Sequence, residues 1–442
     1  MQGKNLSEIC STVMNFFNKR VKGLDKTVKF VKRKSKLGAQ VFAEVLISGC
    51  LSDPTISLER LCKLIKERGI KISKQGLHQR FNREASTLME NLFIDSLQQF
   101  QTEKRVMIDL LKPFSTVQLR DSSGISLPAS LKNLYKGCGG SASEAGLKIQ
   151  VLYDYVQGQV DEVTMTEGCR SDQGFEGHLN KIEKGTLYLQ DLGYFKLKTF
   201  VTIQANEAYF ISRYLYPSKL LDKNDEALDL LGELRKAEFY FAKKVRLSEK
   251  EKIEIRLIAH RLPDKEVQAR IRKLKRSLEK KGKMPTQATL ELAHWSLYIT
   301  NVPDTMLKDE QIHWVYSLRW QIELFFKLCK SEAGIDKVSG KRSDRIVCEI
   351  YAKLICVVTL LYVCFPIRWH ENQELSFYKA YKALKLRACD FFKALKSSYR
   401  LMEFIKTFLS DLEDFSLKDK YRKKRRLTYQ KLMDTTGQEV LV

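Results

Sequence analysis

Between residues 115 and 200 the apolar side chains recur every second residue, whereas over residues 56–93 they recur every three to four. A period of two buries one face of an extended strand, and a period near 3.6 buries a stripe along a helix. Val117, Leu119 and Asp121 alternate, as do Leu187, Leu189 and Asp191, and Lys148–Val156 and Val160–Thr166 read as two further strands. One chain with both periods folds as a mixed α/β protein. Asp121 and Asp191 each close a strand and are followed by turn residues, Ser122-Ser123-Gly124 and Leu192-Gly193-Tyr194. Ligands of open α/β sheets bind beyond such strand ends.

The region before this core reads as helical. Ser57 is placed to cap a helix carrying Leu58, Leu61, Leu64 and Ile65, with Gly69 as its stop. Ser73 is placed to cap the next, which carries Leu77 and Phe81 inside and Gln75, His78, Gln79, Arg80 and Asn82 outside. Two short helices joined by a tight turn, the second rich in polar readers, match a helix-turn-helix; many helical bundles match it as well. After the core, Tyr209–Leu215, Phe239–Leu247, Ile253–Ala259 and Trp295–Ile299 read as strands, and Glu266–Lys281 as a very basic helix. Residues 307–365 and 368–442 return to helix.

The chain carries 77 Lys+Arg against 53 Asp+Glu, a net charge of +24, with bases spread along its length. That balance favours a polyanionic partner, nucleic acid first. Ten Lys/Arg stand between Lys4 and Lys36, and eight between Lys418 and Lys431, either as phosphate-contacting arms or as solvated surface. The ten cysteines form no CxxC pair and the six histidines no HExxH, so a zinc site is not expected and the thiols read as reduced and mostly buried. The longest uncharged run, Leu354–Ile367, has 14 residues, short of the ~20 that span a bilayer, and reads as a core helix. No secretory leader is expected from the N-terminal layout.

The segment richest in chemistry is Tyr316-Ser-Leu-Arg319-Trp-Gln-Ile-Glu323-Leu-Phe-Phe-Lys-Leu-Cys-Lys330. On a continuous helix, at ~100° per residue, Tyr316, Arg319, Glu323 and Lys330 fall within ~60° of one another. Leu318, Ile322, Phe325 and Cys329 form a separate apolar stripe. One carboxylate flanked by a phenol and two cations suits a divalent metal beside phosphates. A surface Glu with helical ion-pair partners has the same pattern.

Asp121-Ser122-Ser123, then Asp191-Leu192-Gly193-Tyr194, then Tyr-x2-Arg-x3-Glu-x6-Lys occur in this order. With Ala145-Gly-Leu-Lys-Ile149, Tyr209-Phe-Ile-Ser-Arg213 and Ile299-Thr-Asn-Val-Pro303 around them, they resemble the DDE transposases of bacterial insertion sequences, in the Tyr-Arg-Glu-Lys signature class. The resemblance covers roughly residues 50–360. A Thr is common in the family where Ser123 stands.

The resemblance implies an α/β fold: a ribonuclease-H-like catalytic core interrupted by a mainly β insertion domain, with helical N- and C-terminal regions. The implied divisions are a helical DNA-binding region over 1–110, core over 111–205, insertion over 206–302, core with the Glu helix over 303–367, and a helical C-terminal region over 368–442 that includes the basic tail and a possible dimerisation surface. Asp121, Asp191 and Glu323 would be the catalytic residues and the ligands of Mg²⁺, with Mn²⁺ able to substitute. Tyr316, Arg319 and Lys330 would grip phosphates. One or both of Trp295 and Trp320 would stack on DNA bases, a core or insertion-domain position being the other reading for Trp295. Gln79 and Arg80 would read end DNA. The implied enzyme cleaves and joins double-stranded DNA, transposon ends and target alike, by cut-and-paste through hairpin ends. It would be a homodimer on DNA, cytoplasmic and nucleoid-associated in a bacterium, with no membrane partner. A catalytically silent DNA-binding descendant and a metal-dependent nuclease without strand transfer are the competing readings.

Overall fold

The computed structural model describes residues 3–31, 36–102, 108–140, 143–370 and 373–418. The N-terminal helices are α1 Gly3–Asn15, α2 Val21–Val28, α3 Ala39–Ser52, α4 Leu58–Glu67, α5 Lys74–Arg80 and α6 Arg83–Gln99. Strands β1 Val117–Leu127, β2 Ala145–Asp154, β3 Gln159–Glu167 and β4 Leu187–Gln190 follow, then α7 Leu197–Ala205. Next come β5 Tyr209–Arg213, β6 Leu220–Leu221, α8 Leu230–Lys236, β7 Tyr240–Leu247, β8 Ile253–Arg261, α9 Asp264–Glu279, α10 Gln287–Leu292 and β9 Trp295–Thr300. The last part holds α11 Asp309–Ser317, α12 Trp320–Ser331, α13 Ser343–Cys364, a short hairpin of Trp369–His370 with Gln373–Glu374, and α14 Phe377–Leu386, α15 Ala388–Ala394 and α16 Ser398–Phe415. The basic tail beyond residue 418 lies outside the described residues.

The chain divides into two compact units, neither of them continuous in sequence. Among the described residues the first draws on those of 3–102, 122–170 and 321–418, the second on 108–121 and 171–320.

In the first unit α13 is the central element: nearly all of its 22 residues are buried. The segment Ser343–Ile367 is long and apolar enough to cross a membrane, yet 89% of its most apolar window is buried inside the protein, as expected of a core helix. Three buried charged residues, Arg345, Glu349 and Lys353, break its apolar surface and are satisfied internally. Arg345 pairs with Glu349 at 2.8 Å and donates to the Ile56 carbonyl at 3.0 Å. Glu349 accepts from the Ser339 amide at 3.1 Å, and Lys353 donates to the carbonyls of Gly334 at 3.0 Å and Lys337 at 2.6 Å. This network ties α13 to the loop that leaves α12. Strands β2 and β3 pair antiparallel in the same unit, with an irregularity between Leu152 and Tyr153.

The helix signals near the N-terminus hold. Ser57 Oγ accepts from the Arg60 amide at 3.2 Å and Ser73 Oγ from the Gly76 amide at 3.1 Å. Gly69, at φ +80°, ends α4 in the left-handed region that favours glycine.

In the second unit the strand order is β1-β4-β5-β9-β8-β7-β6. β1, β4 and β5 are parallel neighbours, with α7 as the crossover between β4 and β5. From β5 outward every pairing is antiparallel. The strand-rich block over 206–302 thus lengthens this sheet, because β5 and β9 pair edge to edge. Side chains from the Ile299–Pro303 motif fasten that junction. Asn301 donates to the Ala208 carbonyl at 2.9 Å and accepts from the Phe210 amide at 2.8 Å, and Thr300 Oγ1 donates to the Phe210 carbonyl at 2.6 Å.

Two local expectations change. Ser122-Ser123-Gly124 is not a turn: β1 runs on to Leu127, because Ile125 and Leu127 are buried while Gly124 and Ser126 are exposed, the alternation of a half-buried strand. Residues 316–330 are not one helix either. The amides of Leu318 and Arg319 bond three residues back, to Val315 at 3.1 Å and Tyr316 at 3.0 Å, and this tight turn separates α11 from α12.

Candidate active site

Val117, Gln118, Leu119 and Arg120 of β1 lie in register with Leu187, Tyr188, Leu189 and Gln190 of β4. The next residue on each strand is an aspartate, so Asp121 and Asp191 are neighbours across two parallel strands ~4.8 Å apart. The four β1 residues before Asp121 are buried, and Asp121 is where the strand reaches partial exposure. Arg120, 2% exposed, holds the approach: its guanidinium lies 5.6 Å from the Tyr188 ring and 5.9 Å from the Tyr194 ring. Asp191 follows β4 directly and leads into the single turn Leu192–Tyr194, as its sequence suggested.

Two signature residues of the second unit meet these aspartates. Arg319 Nη1 lies 3.9 Å from Asp121 Oδ2. The Arg319 guanidinium also sits 6.0 Å from the centre of the Tyr316 ring. Tyr316 is buried, and its hydroxyl donates to the Gln190 carbonyl at 3.4 Å. Burial pushes its phenol up to about 12; Arg319 and Arg213 pull the other way, and the Asp191 charge adds to the rise. Tyr316 is therefore a neutral hydrogen-bonding group at physiological pH. Behind it the Tyr298 ring lies 5.1 Å away, and the Tyr298 hydroxyl shares a 2.8 Å hydrogen bond with His313 Nδ1. The turn that delivers α11 is held by buried Arg256, which donates to the carbonyls of Val302 and Leu307 at 2.9 Å each and pairs with Asp309.

Glu323 and Lys330 belong to α12, in the first unit, where both are half-buried. Seven residues apart, they lie within ~20° on one face of that helix. Exposed Lys327, four residues after Glu323, shares the face and was not among the sequence candidates. Its i+4 spacing was the available signal. Arg213, the last residue of the Tyr209–Arg213 motif, acts electrostatically on Tyr316 and is a further residue of this site. Among the described residues no three His, Cys, Asp or Glu side chains are gathered closely enough to hold a metal ion.

The remaining candidates separate. Trp320 is 54% exposed, whereas Trp295 is 7% exposed within β9 with the Arg261 guanidinium 6.0 Å from its ring. Gln75, His78 and Gln79 are exposed on α5. Arg80 instead turns back on its own unit, donating to the carbonyls of Phe30 at 3.4 Å and Leu37 at 3.1 Å, with its guanidinium over the Phe30 ring. Asp154, at the end of β2, is buried and accepts from the Gln157 amide at 2.8 Å. All ten cysteines are free thiols.

The family model described as "Transposase DDE domain" matches residues 112–359. The transposase for insertion sequence element IS231F of Bacillus thuringiensis subsp. israelensis is 30% identical over 386 residues, 81% of this chain and 80% of that protein. The IS231B transposase of Bacillus thuringiensis subsp. berliner is 29% identical over 94% of this chain and 91% of its own length. For the IS1151 transposase of Clostridium perfringens the identity is 26% over 96% of this chain and 95% of the relative. With this match over more than half its length, and relatives matched nearly end to end, the chain belongs to the DDE-domain transposases of bacterial insertion sequences and is an enzyme of that class.

Proposed function

We propose that this transposase binds the terminal inverted repeats of its own insertion sequence and catalyses metal-dependent strand cleavage and strand transfer, by cut-and-paste through hairpin ends. The observation that carries the reading is the pair of aspartates set side by side by the β1/β4 register, with Arg319 against Asp121. The parallel succession β1-β4-β5 suits a ribonuclease-H-like core.

Asp121, Asp191 and Glu323 are the proposed ligands of Mg²⁺, with Mn²⁺ as substitute. The donors fit: carboxylate oxygens are the hard ligands these ions prefer, and Asp121 is accessible, its side chain 22% exposed. A divalent cation held by these carboxylates would supply activation of water or of a DNA 3′-hydroxyl and stabilisation of the departing oxygen. Arg319 lies against Asp121, Tyr316 offers a neutral hydroxyl, and Arg319, Lys330 and Lys327 attract the phosphates flanking the scissile bond. Trp320 is the exposed ring available to an unstacked base. Gln79 on α5 reads end DNA. The protein acts as a homodimer on paired ends, in the cytoplasm at the nucleoid.

Incubation of the protein with end DNA, Mg²⁺ and a target plasmid tests this. Nicked ends plus joined plasmid are expected. Cleavage without joining would make the protein a nuclease, and binding without cleavage a silent descendant.

A further inference from the structure

Helix α9 carries the densest positive charge in the described second unit, and nothing at the aspartate site uses it. From Lys265 to Lys283 there are nine Lys/Arg and two Glu. Its inner side is fastened to the sheet. Val267 is buried, Arg270 Nη1 donates to the Trp295 carbonyl at 2.6 Å, and Arg270 Nη2 donates to Ser296 Oγ at 3.2 Å. Its outer side is open. Arg272, Lys273, Arg276 and Lys280 line a surface trough of about 540 Å³. All four are exposed, and among the described residues none has a side-chain hydrogen bond or ion pair.

This arrangement works against the helix that bears it. Arg272, Arg276 and Lys280 follow one another at four-residue spacing, ~6 Å apart along the axis, and like charges so placed repel. A polyanion laid along the row relieves that repulsion and releases its own counterions. Only Gln268, one turn before Arg272, could read a base edge on this face, against Gln75, His78 and Gln79 together on α5, so what the row of cations grips is backbone.

We infer that the outer face of α9 is a sequence-independent binding surface for the phosphate backbone of duplex DNA, an inference that rests on the transposase reading and adds to it a DNA-binding face apart from the carboxylates and from α5. The duplex is target DNA, which a row of phosphate-gripping cations can take irrespective of its sequence; DNA flanking the element's ends is the alternative that the test separates.

The test uses the full chain with Arg272→Ala, Arg276→Ala and Lys280→Ala combined, beside a charge-retaining Arg272→Lys/Arg276→Lys variant. Binding to a random-sequence duplex is measured in EDTA across a salt series, with thermal unfolding checked for each protein. The triple variant should bind at least tenfold more weakly at low salt. Its log–log salt slope should be shallower by roughly two to three, since each phosphate the protein no longer neutralises removes about 0.9 from the slope. The Lys variant should keep the parent slope. A triple variant with the parent slope and affinity overturns the inference, as does a Lys variant that binds as weakly as the triple. These readouts need neither metal nor turnover, so they decide the surface even if the protein proves unable to cut or join DNA. In an active protein, loss of joining to plasmid with normal end cleavage places target DNA on α9. Loss of binding confined to ends that carry long flanks places flanking DNA there.

Discussion

Arg319 and Asp121, 198 positions apart in sequence, face each other at 3.9 Å, on side chains 16% and 22% exposed. The cation that a continuous helix would set beside Glu323 therefore guards one of the two aspartates. A positive charge at that distance is worth ~1–4 kcal/mol, depending on the local dielectric, and it opposes any cation Asp121 binds. Arg319→Ala should lower the half-saturating Mg²⁺ concentration roughly tenfold while reducing the maximal cleavage rate. Cleavage titrated with Mg²⁺ measures both, and an unchanged or higher half-saturation point would refute the electrostatic role.

Asp121→Asn, Asp191→Asn and Glu323→Gln should each abolish cleavage and joining and leave end binding within about twofold of the parent. Asp154→Asn should stay active, because an amide oxygen can still accept from the Gln157 backbone. Gel shifts and cleavage assays on the same preparations decide it. Any of the three variants cutting at near-parent rate, or cleavage persisting in EDTA, would remove the carboxylates from the mechanism.

Gln79→Ala should reduce discrimination between end and random DNA by ~1–3 kcal/mol with little effect on stability. Arg80→Ala should do the reverse. It deletes two hydrogen bonds to the carbonyls of Phe30 and Leu37 and should lower the unfolding temperature. Competition binding and thermal melts separate the two, and equal loss of specificity in both variants would put Arg80 on the DNA.

Trp320→Ala should slow hairpin formation more than first-strand nicking, since its ring is exposed. Trp295→Ala should instead destabilise the protein by ~3–5 kcal/mol, the usual result of emptying a buried aromatic site. Timed assays of each step, with denaturant unfolding, check both. A Trp295 variant of parent stability with a selective hairpin defect would reverse the assignment.

Tyr316 gives a pH signature. Its phenol is raised from 10 to about 12, chiefly by burial, so the folded protein keeps a proton that the unfolded chain loses above pH 10. The stability this contributes is fully present below pH 10 and is lost as pH rises toward 12. Tyr316→Phe should flatten that part of the stability profile. An unaltered alkaline decline would assign it to other groups.

Much of the local structure was legible in the sequence. Ser57 and Ser73 cap because a serine oxygen before an apolar-periodic run has backbone amides within reach, and Gly69 stops α4 because it alone enters the left-handed region without strain. The strands before Asp121 and Asp191 were visible as alternation, and α13 as an uncharged run. The ordered signature residues carried the family.

The tertiary structure decided what depends on partners distant in sequence. β1 continues past Asp121 because Ile125 and Leu127 find a buried face, which no turn propensity reveals. The strands of 206–302 lengthen the sheet because β9 pairs with β5 across 81 residues of intervening chain. Arg319 reaches Asp121 because a tight turn breaks the helix that a wheel of residues 316–330 assumes, and a wheel places neighbours only along an unbroken helix. Arg80 and Trp295 have the composition of DNA-contacting residues, but their burial and hydrogen bonds come from other segments of the chain. A local pattern fixes which face of an element is apolar; only the packed chain fixes what that face, and each charge beside it, meets.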